Sequence, residues 1–208
     1  RDRRRAAMLF IVFSLIGSAP MFFAIWWIGL SCQTTELSVV ATRIGSQLDP
    51  AFRNGLFWAL ALAFLVKLPV VPLHLWQADA YSEGPAPASA LLTGVMAKIG
   101  LFGFVRILIP LFPVESARYS GVFVALGLVT VLVGALLALQ QSDLRRVLAF
   151  SSLSHLGLGL AALFTFRPEA ISGVVMLMVA HGLSAAALFC LAGIAETWTK
   201  SSHIDDFG

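Results

Sequence analysis

The stretch GLFWALALAFLVKLPVVP, residues 55–72, decides the fold of this chain, because it joins a long apolar run to a charge and two prolines. Lys67 ends the run, and Pro69 and Pro72 follow at once. A lysine in hydrocarbon costs roughly 3 kcal/mol or more. Each proline removes a backbone hydrogen bond and clashes with the preceding helical turn. The stretch therefore predicts a membrane helix that is broken beside a functional charge.

The composition of the whole chain points to a membrane protein. Of its 208 residues, 59% are hydrophobic and 12% are charged, and the mean hydropathy is +0.89. The net charge is only +3, and the opening residues 1–5 hold four of the basic side chains. Such a cluster before an apolar run favours a membrane flank. The lipid bilayer, and no nucleic acid, is therefore the expected surrounding.

Six apolar stretches reach the length of about 20 residues that a helical span needs. Because lipid offers no hydrogen bonds to a peptide backbone, such runs must be helical. We predict an all-α integral membrane protein, a single multi-helix bundle with one discontinuous, proline-broken transmembrane helix. The chain begins without a methionine, which suggests a fragment of a longer subunit. The predicted spans are residues 6–30, 51–76, 87–112, 120–139, 144–166 and 170–197.

Basic residues in the predicted loops set the orientation, because they are enriched on the cytoplasmic side of membrane proteins. One side is richer and is predicted to be cytoplasmic, together with both termini. The richer side carries Arg1, Arg3, Arg4, Arg5, Arg145, Arg146 and Lys200, and the poorer side carries Arg43, Arg53, Arg118 and Arg167.

Two lysines are the leading candidates for proton transfer. Lys67 lies at the predicted break, and Lys98 lies about halfway along the next span. Desolvation disfavours a charged ammonium, so a buried lysine can release its proton under working conditions, as a proton carrier must. The competing interpretation is that either lysine extends its ammonium to the membrane surface.

Two histidines join them as candidates for the proton path. His155 follows a serine cluster in the fifth span, with Ser151 one turn before it. His181 is central in the sixth span, with Ser184 nearly one turn after it. A lone histidine in a helix is more often a packing residue, but two of them beside two lysines predict a polar file that passes protons.

The loop after the break holds further ionisable residues. His74, Asp79 and Glu83 are candidates for a proton-uptake region, and a solvated turn explains them equally well. The two cysteines are far apart, and no metal-ligand spacing is present. We therefore expect no metal and no cofactor in this chain.

These residues resemble a known family. KLPVVPLHLWQADA, residues 67–80, is similar to the K-x-P-x-x-P-x-H-x-W-L-P-D-A signature of the antiporter-like subunits of respiratory complex I. Residues 89–106, 141–157, 180–186 and 204–208 are similar to later segments of that family, most of all to its subunit M, or chain 4, type. Membrane-bound hydrogenases and multi-subunit sodium/proton antiporters contain relatives with most of these motifs. Gln77 and Ala78 depart from the signature, which has Leu-Pro there.

The resemblance implies proton translocation by a fourteen-helix subunit built from two inverted five-helix repeats. It favours a bacterial plasma membrane as the location, with a mitochondrial inner membrane as the alternative. The chain would correspond to helices six to eleven. The glutamate that pairs with the first lysine would precede Arg1, and a second broken helix with its own ionisable residue would follow Gly208. Flavin, iron–sulfur clusters and quinone would belong to partner subunits of an NADH:quinone oxidoreductase, with no redox chemistry in this chain.

Three other functions remain open at this point. An ion antiporter without a redox partner, or a subunit of a membrane-bound hydrogenase, would use most of the same residues. A structural membrane subunit would place Lys67 and Lys98 at lipid interfaces, whereas a pump would place them in a polar interior.

Overall fold

The computed structural model describes residues 3–207, so Arg1 of the predicted basic flank and Gly208 of the closing motif lie outside the described residues. The chain folds as a helical bundle. Its helices are α1 (Arg3–Cys32), α2 (Leu37–Gln47), α3 (Pro50–Lys67), α4 (Gln77–Glu83), α5 (Ala86–Leu111), α6 (Pro113–Arg118), α7 (Ser120–Leu139), α8 (Leu144–Leu163) and α9 (Pro168–Thr199), and a short 3₁₀ turn covers Ile204–Phe207.

Five of these helices are long and apolar enough to cross a membrane, namely α1, α5, α7, α8 and α9. They correspond to five of the six predicted spans, with ends that differ by a few residues. The other predicted span, residues 51–76, is divided into α3 and a turn segment that leads to α4. The predicted break is thus confirmed, whereas its role as a sixth membrane crossing stays a prediction.

The break begins where the prolines forbid a regular helix. After Lys67 the backbone makes two last helical bonds, from Leu68 N to Phe64 O at 2.8 Å and from Val70 N to Leu65 O at 3.2 Å. Residues 68–76 then form turns. A broken helix frees backbone groups that need other partners. Thr130 of α7 provides one, because its Oγ1 accepts a hydrogen bond from Val71 N at 3.1 Å.

Helix α5 is irregular without being broken. Two π-helical turns, Leu92–Met96 and Phe104–Leu108, interrupt its α-helical geometry. In the first, the N–H of Ala97 reaches the carbonyl of Leu92, five residues back. Single π turns inside α-helices are frequent at functional sites. The apolar pattern of this span did not predict them.

Helices α7 and α8 pack against each other along their length through glycines. A Cβ on Gly127 would lie 2.6 Å from Ala161 N, and a Cβ on Gly157 would lie 2.8 Å from Gly127 O. Both distances are far shorter than ordinary van der Waals contact. Glycine is therefore required at this crossing, because small residues let membrane helices approach closely.

We expect Gly127→Ala to destabilise the bundle by about 1–3 kcal/mol, because overpacking a tight contact costs about that much. The measurement is the unfolding midpoint of the subunit in detergent. Gly173→Ala in α9 is the matched control, since nothing lies within 4 Å of a Cβ there. Equal midpoints for the two variants would contradict the close approach of α7 and α8.

Basic residues from the two predicted sides lie at different ends of the bundle. We call the end that holds α4, the start of α8 and the end of α9 the α4 side. Arg3 and Arg145 line the same cleft there. At the other end, Arg53 of α3 pairs with Glu115 of α6 at 2.5 Å. Arg3 and Arg145 thus lie apart from Arg53, in line with the two sides expected from the sequence. The assignment of the α4 side to the cytoplasm stays a prediction.

Candidate functional site

Lys98 is buried inside the helical bundle. Its side chain belongs to α5, and the residue is only 8% exposed. The ammonium Nζ donates to the carbonyl of Thr93, five residues earlier, at 2.6 Å. That carbonyl belongs to the first π-helical turn, so the helix irregularity and the lysine occupy one site. Lys98 therefore faces the interior and not a membrane surface.

A histidine pair lies beside Lys98. The rings of His155 on α8 and His181 on α9 stack with centroids 4.9 Å apart and an interplanar angle of 14°. His181 Nε2 is 3.0 Å from the hydroxyl of Ser152, and His155 Nδ1 is 2.8 Å from the carbonyl of Ser151. Lys98 lies near enough to His181 for their charges to interact. Three of the four predicted path residues thus form one cluster.

The exposure of the three side chains increases from Lys98 through His181 to His155. Lys98 is buried, His181 is half-buried, and His155 is exposed on the surface of the described bundle. Gly182 of α9 lies beside the lysine, since a Cβ there would be in ordinary van der Waals contact with Lys98 Cε at 3.7 Å. The cluster is therefore accessible through His155 at the outer surface of α8 and α9.

Lys67 occupies a separate position at the end of α3. It is half-buried, and within residues 3–207 its side chain takes part in no hydrogen bond or ion pair. Helix α3 nevertheless packs against the part of α5 that holds Lys98, where a Cβ on Gly100 would lie 2.8 Å from Leu68 N. The structure thus places the two lysines on contacting helices without joining their side chains.

The three candidates for proton uptake all lie near the α4 side. His74 is half-buried and lines a cleft of about 340 Å³ together with Arg5 and Asp79. The carboxylate of Asp79 is held by Arg146, whose Nη2 lies 2.8 Å from Oδ1. Glu83 lines the neighbouring cleft. Their location agrees with an uptake region, and their role stays a prediction.

Arg145 fastens α8 to two other elements on this side. It is 8% exposed, and its Nη1 donates to the carbonyl of Gly84 at 2.7 Å and to that of Ser82 at 3.4 Å. Its Nη2 pairs with Glu196 at the end of α9 at 2.5 Å. This one guanidinium therefore fixes the end of α4 relative to α8 and α9.

We expect Arg145→Ala to destabilise the bundle by about 2–3 kcal/mol, because it removes hydrogen bonds from a charged donor to the carbonyls at the end of α4, and a bond of this kind contributes about 1.5–3 kcal/mol. Arg146→Ala is the control, since the Arg146 side chain is 40% exposed and such pairs contribute about 1 kcal/mol or less. Thermal unfolding in detergent measures both. A loss for Arg146→Ala as large as that for Arg145→Ala would contradict this ranking.

Some residues of the site were not found from the sequence. Ser152 and not Ser184 is the side-chain partner of His181, and it comes from a different helix. Gln77, which departs from the family signature, starts α4 and is fully buried. The only sequence feature that pointed to Ser152 was the group of serines within residues 151–154. Among residues 3–207, no group of three or more histidine, cysteine, aspartate or glutamate side chains could hold a metal ion.

Comparison with protein families gives one match over the whole chain. Residues 1–208 match the family described as NADH:quinone oxidoreductase/Mrp antiporter, TM. NADH-quinone oxidoreductase subunit M of Rickettsia prowazekii is 31% identical over 208 residues, which are 100% of this chain and 42% of that protein. Subunit M of Pseudomonas aeruginosa is 37% identical over 198 residues, which are 93% of this chain and 38% of that protein.

A plant relative and a solved structure agree with this. NADH-ubiquinone oxidoreductase chain 4 of Triticum aestivum is 35% identical over 210 residues, which cover 100% of this chain and 42% of that one. A chain of respiratory complex I from Thermus thermophilus with bound NADH superposes with a TM-score of 0.90 at 33% identity and covers 98% of this chain and 44% of that one. The chain thus spans about two fifths of the length of these relatives.

Proposed function

Because the chain belongs to the NADH:quinone oxidoreductase/Mrp antiporter transmembrane family, we propose that it is the part of an antiporter-like subunit that moves protons across an energy-transducing membrane. It is an integral membrane protein of helical-bundle fold. The proposed complex is an NADH:quinone oxidoreductase, in which electron transfer from NADH to quinone drives this movement.

One observation supports this function most strongly. The ammonium of Lys98 is buried in an apolar span beside the stacked pair of His155 and His181. Ionisable residues inside membrane helices are costly, and they typically mark ion paths or proton relays. A structural subunit has no use for three titratable side chains in one cluster.

The cluster can pass a proton in steps. Neutral Lys98 accepts a proton and becomes an ammonium, which the carbonyl of Thr93 stabilises at 2.6 Å. A positive charge on Lys98 opposes a second one on His181, because like charges in a low dielectric repel strongly. The cluster therefore favours one transferred proton at a time, which moves from Lys98 to His181 and on to His155.

Lys67 acts before or after this cluster in the proposed path. It lies where the helix breaks, and a broken helix at membrane depth allows a charged group and free carbonyls to meet inside protein. Its half-buried side chain and its contact through α3 with α5 are consistent with a site that exchanges protons with Lys98. His74, Asp79 and Glu83 are the proposed uptake residues on the α4 side.

The redox chemistry of the complex is assigned to partner subunits. Flavin, iron–sulfur clusters and quinone are proposed to reside there, and the energy of electron transfer would reach this chain as conformational or electrostatic change. The proposed partners are the other membrane subunits of the same complex.

The test measures NADH-driven acidification of membrane vesicles that contain the full-length subunit in its assembled complex. With NADH and quinone present, the unchanged complex should pump, and the complex with Lys98→Met should not. A sodium pulse without NADH tests the alternative of a sodium/proton antiporter, for which the structure of an Mrp complex provides a likeness in fold at a TM-score of 0.74.

Three outcomes of these measurements are distinguished. Proton movement that requires NADH and Lys98 supports the proposal. Proton release that follows the sodium pulse at the same rate with and without NADH would replace it with the antiporter. Pumping that is unchanged by Lys98→Met would show that the lysine cluster is not the path.

A further inference from the structure

A second set of buried polar groups lies between Lys98 and the α4 side, and the lysine–histidine path does not use it. Gln77 and Tyr81 come from α4, and Thr93 comes from the first π-helical turn of α5. All three residues are 0% exposed. A buried amide or hydroxyl is costly unless it is hydrogen-bonded, so three of them together require an explanation.

Two acceptor atoms in this set have no hydrogen-bond partner within residues 3–207. They are Oε1 of Gln77 and Oγ1 of Thr93. The other end of the Gln77 amide is fixed, because its Nε2 donates to the carbonyl of Ala149 on α8 at 3.2 Å. The orientation of Gln77 is therefore set by α8, and its free oxygen is held in place.

The Tyr81 hydroxyl lies beside both side chains. It donates to the carbonyl of Leu92 over a long distance of 3.3 Å. It is also near enough to the side chains of Gln77 and Thr93 to interact with each. A phenol can both donate and accept a hydrogen bond, so a weakly bonded hydroxyl in this position can turn between partners.

The set borders the lysine at one end and a polar cleft at the other. Lys98 Nζ donates to the carbonyl of Thr93 at 2.6 Å, and the Tyr81 hydroxyl donates to the carbonyl of the preceding residue, Leu92, so both groups meet the same π-helical turn. The residues of α4 that follow Tyr81, namely Ser82 and Glu83, line a polar cleft. Helix α4 thus reaches from that cleft to the π-helical turn that binds the lysine.

We propose that the hydroxyls of Tyr81 and Thr93 form a route that delivers protons to Lys98 from the α4 side, with Gln77 as the residue that orients Tyr81. The inference rests on the proposed proton-moving function. When the Tyr81 oxygen accepts a proton, Tyr81 passes its own hydroxyl proton to Thr93 Oγ1. Thr93 then releases its own proton to the neutral amine of Lys98. One proton arrives for each one taken up, no electron moves, and the hydroxyls turn back afterwards.

The route is specific to this chain in one respect. Gln77 stands where the family signature has leucine, and a leucine cannot form a hydrogen bond with Tyr81. The orienting amide is therefore a feature of this sequence and not of the shared signature.

The experiment compares isosteric variants in vesicles that contain the assembled complex. Tyr81→Phe and Thr93→Val remove only a hydroxyl. We expect each to lower the initial rate of NADH-driven pumping about tenfold or more, since a positioned proton-transfer group commonly contributes at least that much. Thr93→Ser keeps the hydroxyl and should pump almost normally.

A control tests the loss of a buried hydroxyl as such. Ser116 in α6 is also 0% exposed, and its hydroxyl has no partner within the described residues. It lies at the other end of the bundle from α4. Ser116→Ala should therefore leave the pumping rate unchanged, and native gels should show normal assembly for every variant that is compared.

Three results would overturn the route. Normal pumping by Tyr81→Phe and Thr93→Val, while Lys98→Met abolishes pumping, would disprove the route and leave the proposed function intact. Thr93→Ser pumping as poorly as Thr93→Val would assign the loss to packing. Normal pumping by Lys98→Met as well would disprove the lysine–histidine path on which the proposed function rests. If Tyr81→Phe does not assemble, the two Thr93 variants decide the question.

Discussion

Replacing Lys67 with alanine is expected to abolish proton pumping by the assembled complex while the subunit still inserts into the membrane. The lysine ends α3 beside the break, and it makes no hydrogen bond or ion pair within residues 3–207 that the fold would lose. A lysine inside a membrane helix costs roughly 3 kcal/mol, so its removal should not weaken folding. What disappears is the titratable group at the break.

The arginine variant distinguishes a proton carrier from a fixed charge. Lys67→Arg keeps the positive charge, but a guanidinium does not release its proton under any physiological condition. We therefore expect Lys67→Arg to pump almost as poorly as Lys67→Ala. Quenching of a pH-sensitive dye in NADH-energised vesicles measures the rate, and a native gel measures assembly.

A matched control is available on the same bundle. Arg106 is also a basic residue within an apolar helix, but its side chain is exposed. Arg106→Gln should leave the pumping rate within about twofold of normal, as expected for a basic side chain that reaches the interface. If Lys67→Arg pumps at the normal rate, Lys67 is a fixed charge, and the carrier must be Lys98 or the histidines.

The second large effect is expected at Lys98. Lys98→Met should lower pumping at least tenfold, because it removes the buried ammonium that connects Thr93 to the histidine pair. It should leave stability unchanged or increase it, since replacing a buried charge with an apolar group of similar volume is often neutral or stabilising. The measurements are the pumping rate and the unfolding midpoint in detergent.

A gain in stability together with a loss of pumping would identify a functional charge. Lys98→Arg should also fail, because a guanidinium does not release its proton under physiological conditions. A stable Lys98→Met complex that pumps normally would refute the role of Lys98.

Much of the fold could be predicted from the sequence because lipid imposes strict rules. Long apolar runs must be helices there, so the bundle and the positions of α1, α5, α7, α8 and α9 followed from hydropathy alone. Proline chemistry is equally local, and Pro69 and Pro72 fixed the place of the break. Lys98 could be recognised as a candidate for a similar reason, because the cost of a charge inside an apolar run depends only on the neighbouring sequence.

Partners across helices could not be predicted, because hydropathy says nothing about which faces meet. The hydrogen bond between Ser152 and His181 and the bond from Val71 N to Thr130 each join residues at least 29 positions apart. The π-helical turn before Lys98 depends on local strain and packing that a uniform apolar pattern does not encode.

By itself, the sequence determined which residues bring charge into the membrane and where the helix must break, since both depend on the transfer energy and backbone chemistry of single residues. Only the tertiary structure decided that Lys98 joins the histidine pair while Lys67 lies apart, and that Gln77 and Tyr81 approach Thr93. Those relations depend on how close the helices come, and at the α7–α8 crossing that distance is set by glycines whose neighbours lie on another helix.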